Sequence, residues 1–294
     1  MVETHGFTTA PLQATFGAVV TGRRLAEIDE AAFAWLYGVW LDRALLIFPG
    51  QHLTREEQVA FARRFGPPEF EIAPLSNVRP DGSVRATAEG DEVVKTLLGN
   101  MGWHHDSTYM PVQAKGAVFS AHVVPAEGGE TEWADMRAAY DALDPATRAQ
   151  IEPLSAFHSL RHSQARAGLS PAQGVTPYGF GVDEPPLRPL VKIHPETDRR
   201  NLVIGRHAYG VPGLSAERSE RLLDELCAFA CQPPRVWRHR WTPGDVVVWD
   251  NRRLMHRACP WDMTQPRVMH HSRIAGDPAS EFAAPAAGAA VAVG

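Results

Sequence analysis

The stretch Trp103–Asp106 (WHHD), together with Trp249–His256 (WDNRRLMH) far downstream, decides both the fold and the chemistry of this chain. On an extended strand, side chains two residues apart project from the same face. His104 and Asp106 can therefore bind one metal ion together, while the residue between them points away. The second stretch follows a buried apolar run and has a polar end, so His256 can supply a second imidazole. Two histidines and one carboxylate leave coordination positions open and are typical of non-haem Fe(II) oxygenases.

The composition is that of an ordinary globular protein, with 294 residues, 44% of them hydrophobic, and a formal net charge of −5. The sequence has no run of about 18 apolar residues, so we expect no membrane span, and the N-terminus lacks the pattern of a secretory signal. The charge is spread along the chain, without the basic stripe of a nucleic-acid binder or a polybasic membrane patch. Three cysteines fit a reducing compartment and no disulfide framework. We therefore expect a cytoplasmic protein with no nucleic-acid or membrane partner.

Strand patterns fill the centre and the C-terminal half of the chain, and helical patterns are inserted between them. The apolar runs that predict strands lie at 44–48, 116–124, 190–194, 202–204, 246–249 and 267–270. The residues expected to cap helix N-termini are Asp29, Thr54, Asp135, Asp144 and Ser215. This order indicates a mainly β protein with inserted helices, a β-sandwich or jelly roll, rather than βαβ alternation.

The segment boundaries follow from the same patterns. We predict a single domain over residues 1–276 and a flexible Ala-rich tail over 277–294. Residues 67–95 are predicted to be a long loop with room for one strand, and 162–189 a polar segment without clear periodicity.

The charge of the proposed metal set predicts a further anionic ligand. Two neutral imidazoles and one carboxylate leave Fe(II) with a net charge of about +1, which suits chelation by an α-keto acid. If that acid is 2-oxoglutarate, its far carboxylate needs a cation that stays charged, and arginine offers a bidentate contact. Arg267 lies on the next predicted strand after His256, and Thr131 can donate its hydroxyl to the same carboxylate. Taken singly, an ordinary turn or strand role is the simpler interpretation of each.

Several segments together carry a family resemblance in order and spacing. They are Leu46–Gln51, Trp103–Ser107, Gly128–Thr131, Ala134–Tyr140, Trp249–Arg252 and Pro266–Val268. The chain resembles the taurine/2,4-dichlorophenoxyacetate dioxygenase family of Fe(II)- and 2-oxoglutarate-dependent oxygenases over about residues 15 to 276. It is most similar to the aryloxyalkanoate dioxygenases that cleave phenoxypropionate herbicides, particularly the S-selective type. The segments that support this closer likeness are Gly99–Met101, Asp106–Val112, Leu187–Lys192 and Ile204–Ala208.

The resemblance implies a cupin-like double-stranded β-helix (a jelly roll) and a definite reaction. His104, Asp106 and His256 would bind the catalytic iron, and Thr131 and Arg267 would bind 2-oxoglutarate. O2 would convert 2-oxoglutarate to succinate and CO2 and hydroxylate the carbon next to the ether oxygen of an aryloxyalkanoate. The product would then fall apart to a phenol and an α-keto acid, which is pyruvate for a phenoxypropionate.

One departure concerns the residue that binds the substrate carboxylate. Many members carry a second arginine four residues after the 2-oxoglutarate arginine, and here that position is His271. We expect Arg273 to bind the carboxylate, because it stays charged at all working pH values, with His271 and then Lys95 as alternatives. The other residues expected to contact the substrate are Asn100, Met101, Tyr109, Met110 and Val112.

Two other functions are compatible with the sequence. The first is the same iron chemistry on a sulfonate such as taurine, an alkyl sulfate or an amino acid. The second is a non-catalytic cupin-like binding protein, against which the intact metal and arginine set argues. The expected partner is a small anionic aromatic substrate, and we further expect a homo-oligomer.

Overall fold

The computed structural model describes residues 2–85, 91–170 and 178–283. The strands in this part of the chain are β1 (Val2–Thr4), β2 (Phe7–Pro11), β3 (Ala18–Thr21), β4 (Leu45–Phe48), β5 (Pro68–Ser76), β6 (Gly116–Val123), β7 (Thr131–Asp135), β8 (Ser155–His158), β9 (Leu187–Pro189), β10 (Val191–Ile193), β11 (Arg200–Leu202), β12 (Ala208–Tyr209), β13 (Val236–His239), β14 (Val246–Asp250), β15 (Leu254–Ala258) and β16 (Val268–Ile274). The helices are α1 (Glu30–Arg43), α2 (Arg55–Arg63), α3 (Glu92–Gly99), α4 (Met136–Ala142), α5 (Pro145–Ile151), α6 (Leu160–Arg166), α7 (Ala216–Ala230) and α8 (Pro278–Glu281).

Two sheets form the centre of the molecule. The major sheet has the strand order β1-β2-β3-β4-β14-β6-β16-β5, and a smaller sheet has the order β13-β7-β15. Trp249 and Phe119 of the major sheet belong to the same core cluster as Trp133 and Leu254 of the smaller one. The two sheets therefore pack face to face, which confirms the predicted jelly-roll class.

Strand β14 shows how the sequence sets these layers. All five of its residues are buried. Val246 and Val248 pack in the cluster that contains the apolar faces of α1 and α2, whereas Val247 and Trp249 face the smaller sheet. Because successive side chains of a strand alternate between faces, a fully apolar run requires a layer on each side. Helices cover one face of the major sheet for this reason, and the smaller sheet covers the other.

Five predicted helix starts are confirmed. Asp29, Asp135, Asp144 and Ser215 each accept backbone N–H groups at the N-termini of α1, α4, α5 and α7. Thr54 and Glu57 form the reciprocal capping box that begins α2. Within the described residues, the structure contains no helix with the length and apolar character that a membrane crossing requires.

Two helices lie partly where the sequence predicted irregular chain. The segment at 67–95 contains one strand, the nine-residue β5, for which the prediction left room, and also the start of helix α3, which Asp91 caps. Prolines fit within β5 because it is the edge strand of the major sheet, where unpaired backbone positions tolerate them. Helix α6, which Ser159 caps, begins just before the second irregular segment at 162–189 and continues into it. Both helices are too short to leave a clear periodic signature in the sequence.

The boundary of the predicted tail is also corrected. Asp277 caps α8, and Glu281 in that helix is only 1% exposed. The Glu281 side chain forms an ion pair with Lys192, and its backbone carbonyl accepts the N–H of Gln113. Residues 277–283 therefore belong to the packed structure, while positions 284–294 of the predicted tail lie outside the described residues.

Candidate metal centre and its cavity

The predicted metal set comes together along β15, an edge strand of the smaller sheet. His104 pairs with His256 in an isolated antiparallel bridge, with N–O distances of 3.0 and 2.8 Å between their backbones. This bridge adds the motif strand beside β15 and sets the two imidazoles side by side, with ring centroids 4.2 Å apart. The nearest Asp106 oxygens lie 4.0 Å from His104 Nε2 and 3.9 Å from His256 Nε2. One ligand atom from each residue lies within 4.8 Å of the others, so the three side chains can hold one metal ion.

Neighbouring groups fix the ligand side chains in usable states. His104 Nδ1 lies 2.7 Å from the carbonyl oxygen of Gly102, which favours a proton on Nδ1 and a free lone pair on Nε2. Burial lowers the pKa of His104 to about 4 and that of His256 well below its ordinary value. Burial would raise the pKa of Asp106, but Arg273 and the surrounding imidazoles together outweigh it, and the pKa is lowered. Two neutral imidazoles and one carboxylate are the charge set that suits Fe(II).

His105 faces away from this cluster, as the strand alternation predicts. Its side chain is fully buried, and its Nδ1 lies 2.7 Å from the carbonyl oxygen of Asn251. The residue therefore packs and hydrogen-bonds on the opposite side of the motif.

A cavity of about 390 Å³ opens beside the three ligands. The residues of the sequence prediction that line it are Lys95, Asn100, His104, Asp106, Tyr109, Thr131, His256, Arg267, His271 and Arg273. Its apolar walls include Phe70, Leu75, Leu97, Leu169, Phe180 and Trp261. An apolar chamber with a few convergent polar groups is the usual form of a small-molecule site.

Arg267 and Thr131 have groups available for an anion. Arg267 is buried over the ring of Trp261, and its Nε donates to the Gly129 carbonyl at 3.1 Å. Its Nη2 has no hydrogen-bond partner among the described residues, and burial lowers its pKa to about 10. The Thr131 hydroxyl oxygen accepts from Trp241 Nε1 at 3.0 Å, which leaves the hydroxyl proton to donate. A carboxylate in the cavity would satisfy both groups.

Arg273, the first candidate for the substrate carboxylate, is already engaged. Its Nη2 donates to Asp106 Oδ1 at 2.8 Å, and its Nη1 donates to the Ser107 hydroxyl at 3.1 Å. Burial lowers the pKa of His271, the second candidate, to about 3, so this imidazole is neutral. Lys95 donates to Glu92 Oε1 and to the Ser170 carbonyl, both at 2.9 Å.

Three predicted substrate contacts lie elsewhere, since the residues lining the cavity do not include Met101, Met110 or Val112. The Met110 N–H donates to the Ser107 carbonyl in a tight turn, and Val112 pairs with Phe282 in an isolated bridge. The turn carries the chain away from the cavity directly after Tyr109. Proximity in sequence to the metal motif did not mean proximity in space.

Arg206 is the cavity cation that the sequence prediction omitted as a site residue. Its guanidinium donates to the carbonyl of Gly99 and to the side-chain oxygen of Gln164, both neutral acceptors. Burial lowers its pKa to about 10, and it forms no ion pair with a carboxylate among the described residues. Segment Ile204–Ala208 carried part of the family resemblance, but its sequence does not show that the Arg206 guanidinium lacks a carboxylate partner.

The chain matches the family model described as taurine catabolism dioxygenase TauD, TfdA family, over residues 8–274. The chain belongs to the TauD/TfdA dioxygenase family. It is therefore a dioxygenase of the class that uses Fe(II), 2-oxoglutarate and O2, and the His104, Asp106 and His256 cluster fits that metal.

Two relatives are similar to this chain over most of its length. The (S)-phenoxypropionate/alpha-ketoglutarate-dioxygenase of Sphingobium herbicidovorans is 64% identical over 280 residues, which cover 94% of this chain and 98% of the relative. The alpha-ketoglutarate-dependent 2,4-dichlorophenoxyacetate dioxygenase of Cupriavidus pinatubonensis is 37% identical over 80% of this chain and 86% of the relative.

A solved TauD/TfdA-type structure has the same fold. It is the crystal structure of AAD-2 in complex with Mn(II) and N-oxalylglycine, with a TM-score of 0.85 and 37% sequence identity. The match covers 92% of this chain and 97% of that one. The jelly-roll assignment thus has support from an experimental structure as well as from the packing of the two sheets.

Proposed function

We propose that this dioxygenase hydroxylates the carbon next to the ether oxygen of aryloxyalkanoates such as (S)-phenoxypropionate herbicides. The hydroxylated product loses its phenol and leaves an α-keto acid, while 2-oxoglutarate becomes succinate and CO2. The observation that carries the substrate assignment is the lining of the cavity, where apolar and aromatic walls surround buried guanidinium groups. The identity to phenoxypropionate dioxygenases over nearly the whole chain supports the same class.

His104, Asp106 and His256 would hold the iron in this proposal. The bound metal supplies oxygen activation, and the chain supplies orientation and charge. The neutral imidazoles leave the metal with residual positive charge, which favours an anionic co-substrate. The unpartnered Nη2 of Arg267 and the donor proton of Thr131 would bind the far carboxylate of 2-oxoglutarate.

Arg206 takes the place of Arg273 as our candidate for the substrate carboxylate. The Arg206 guanidinium is partly buried and bonded only to neutral oxygens, and a ligand anion would offset the cost of its desolvation. Arg273 already forms an ion pair with Asp106, so an incoming carboxylate would have to compete with a metal ligand. With the carboxylate at Arg206, the aromatic ring of the substrate would lie against the apolar walls of the cavity.

A set of four single variants tests this assignment: Arg206→Gln, Arg273→Gln, His271→Gln and Lys95→Gln. KM is measured separately for (S)-2-phenoxypropionate and for 2-oxoglutarate, with succinate release as the readout. Arg206→Gln is expected to raise KM for the phenoxypropionate by a factor on the order of 10–100, with little change in KM for 2-oxoglutarate. A selective loss in another variant would move the role to that residue. Selective turnover of taurine or an alkyl sulfate by the unsubstituted protein would overturn the substrate class.

We also propose a cytoplasmic location and a homo-oligomeric state. The three free cysteines support the location, because a reducing compartment keeps thiols unpaired. The oligomeric state is an expectation that sedimentation would test.

A further inference from the structure

Two fully buried asparagines, Asn251 and Asn77, lie behind the site without lining its cavity. Asn251 is in the turn between β14 and β15. Its Oδ1 accepts the backbone N–H of Asp106 at 2.7 Å, and its Nδ2 donates to the carbonyls of Asp106 at 3.0 Å and Ala114 at 2.9 Å. One amide side chain thus holds both backbone groups of the predicted carboxylate ligand.

Asn77 makes the corresponding contacts on the co-substrate side. It directly follows β5, and its Oδ1 accepts the backbone N–H of Arg267 at 2.7 Å. Its Nδ2 donates to the carbonyls of Met263 and Gln265, both at 2.9 Å. The backbone N–H of Asn77 also donates to the Arg267 carbonyl at 3.3 Å.

We propose that Asn251 and Asn77 are separate positioning residues, Asn251 for the metal and Asn77 for 2-oxoglutarate. The proposal rests on the assignment of Asp106 as a metal ligand and Arg267 as the 2-oxoglutarate anchor. Asp106 lies beyond the His104–His256 bridge, and Arg267 lies just before the first residue of β16. Neither residue is inside a regular strand, so the asparagine amide supplies the backbone partners that a neighbouring strand would otherwise provide.

The two contacts act on different ligands for a geometric reason. Asn251 fixes the backbone from which the Asp106 carboxylate reaches the two imidazoles. Asn77 fixes the start of β16, from which the Arg267 guanidinium enters the cavity. Loss of an outer partner of a metal ligand typically weakens metal binding by about 10–100-fold, because the ligand is no longer held in one orientation.

The test uses Asn251→Ala and Asn77→Ala, with Asn201→Ala as the matched control. Asn201 is also buried, but its Nδ2 donates to the Arg199 carbonyl in the β10–β11 hairpin, away from the cavity. For each protein we would measure Mn(II) affinity, then 2-oxoglutarate affinity at saturating Mn(II) without O2, and the free energy of unfolding without metal. Asn251→Ser and Asn77→Ser are made in parallel. Their hydroxyl can retain part of the hydrogen bonding if an alanine variant is too unstable to measure.

A crossed pattern is expected. Asn251→Ala should weaken Mn(II) binding at least 10-fold and change 2-oxoglutarate binding at saturating Mn(II) by less than about 3-fold. Asn77→Ala should do the reverse, and Asn201→Ala should change stability alone. If each variant weakens both ligands equally, or neither, the asparagines are only structural and the inference is wrong. If the unsubstituted protein binds neither Mn(II) nor 2-oxoglutarate, it is the proposed function that fails.

Discussion

Replacing Arg267 by glutamine is expected to raise KM for 2-oxoglutarate by a factor on the order of 100. The side chain is 3% exposed, and its Nη2 has no protein partner among the described residues, so this group is free to bind a carboxylate. A hydrogen bond to a charged group contributes about 1.5–3 kcal/mol, and a bidentate contact has two of them. Glutamine can replace part of one contact, which leaves a loss of about 3 kcal/mol, or roughly two factors of ten.

The assay measures succinate release against 2-oxoglutarate concentration, and it separates KM from kcat. Because the contact is made equally before and during the reaction, KM should rise with little change in kcat. Arg257→Gln is the matched control, since Arg257 lies near the site but donates to Glu132 and packs over Trp103, outside the cavity. An unchanged KM in Arg267→Gln, or an equal rise in the control, would contradict the assignment of Arg267 to the 2-oxoglutarate carboxylate.

Three further predictions concern the metal set and the stability of the fold. Asp106→Ala should abolish metal binding in a folded protein, whereas His105→Ala should retain most of it. The opposite result in a metal titration would mean that the ligand assignment is wrong by one residue. Burial lowers the pKa of His105 to about 4, so the unfolded chain takes up the proton first as pH falls below about 6.5. The contribution of the neutral His105 to the free energy of unfolding is complete above pH 6.5 and should be smaller by about 2 kcal/mol at pH 5. Chemical unfolding at pH 7 and pH 5 should therefore show a weaker pH dependence in His105→Gln than in the unsubstituted protein. An equal pH dependence in the two proteins would count against this view. Glu281→Gln should lower the free energy of unfolding by about 3 kcal/mol, because it breaks a buried ion pair with Lys192. A change below about 0.5 kcal/mol would mean that this ion pair contributes little to the stability of the fold.

The clustering of His104, Asp106 and His256 was predictable because it follows from local rules. Alternation along an extended strand places His104 and Asp106 on one face, and an apolar strand with a polar end leads to His256. The apolar runs likewise predicted β4, β6 and β14, because a strand buried on both faces is mostly apolar. Charge made Arg267 the candidate for the co-substrate, since an anionic co-substrate requires a permanent cation.

The substrate side was not predictable in the same way. Arg206 becomes a candidate only when the three-dimensional structure shows that its acceptors are neutral oxygens. Arg273 looked available until its contact with Asp106 was visible. Sequence adjacency also misled for Met110, because the turn after Ser107 redirects the chain. These properties depend on which groups meet across long sequence separations, and no local pattern encodes them.

The most direct test of the account is the amount of phenol and succinate released from (S)-2-phenoxypropionate by the Fe(II)-loaded protein, with Asp106→Ala as the blank. We expect equal amounts of phenol and succinate, both dependent on 2-oxoglutarate and O2, and neither from the blank. Succinate without phenol would contradict the aryloxyalkanoate assignment. Phenol release that persists in Asp106→Ala would contradict the metal centre itself.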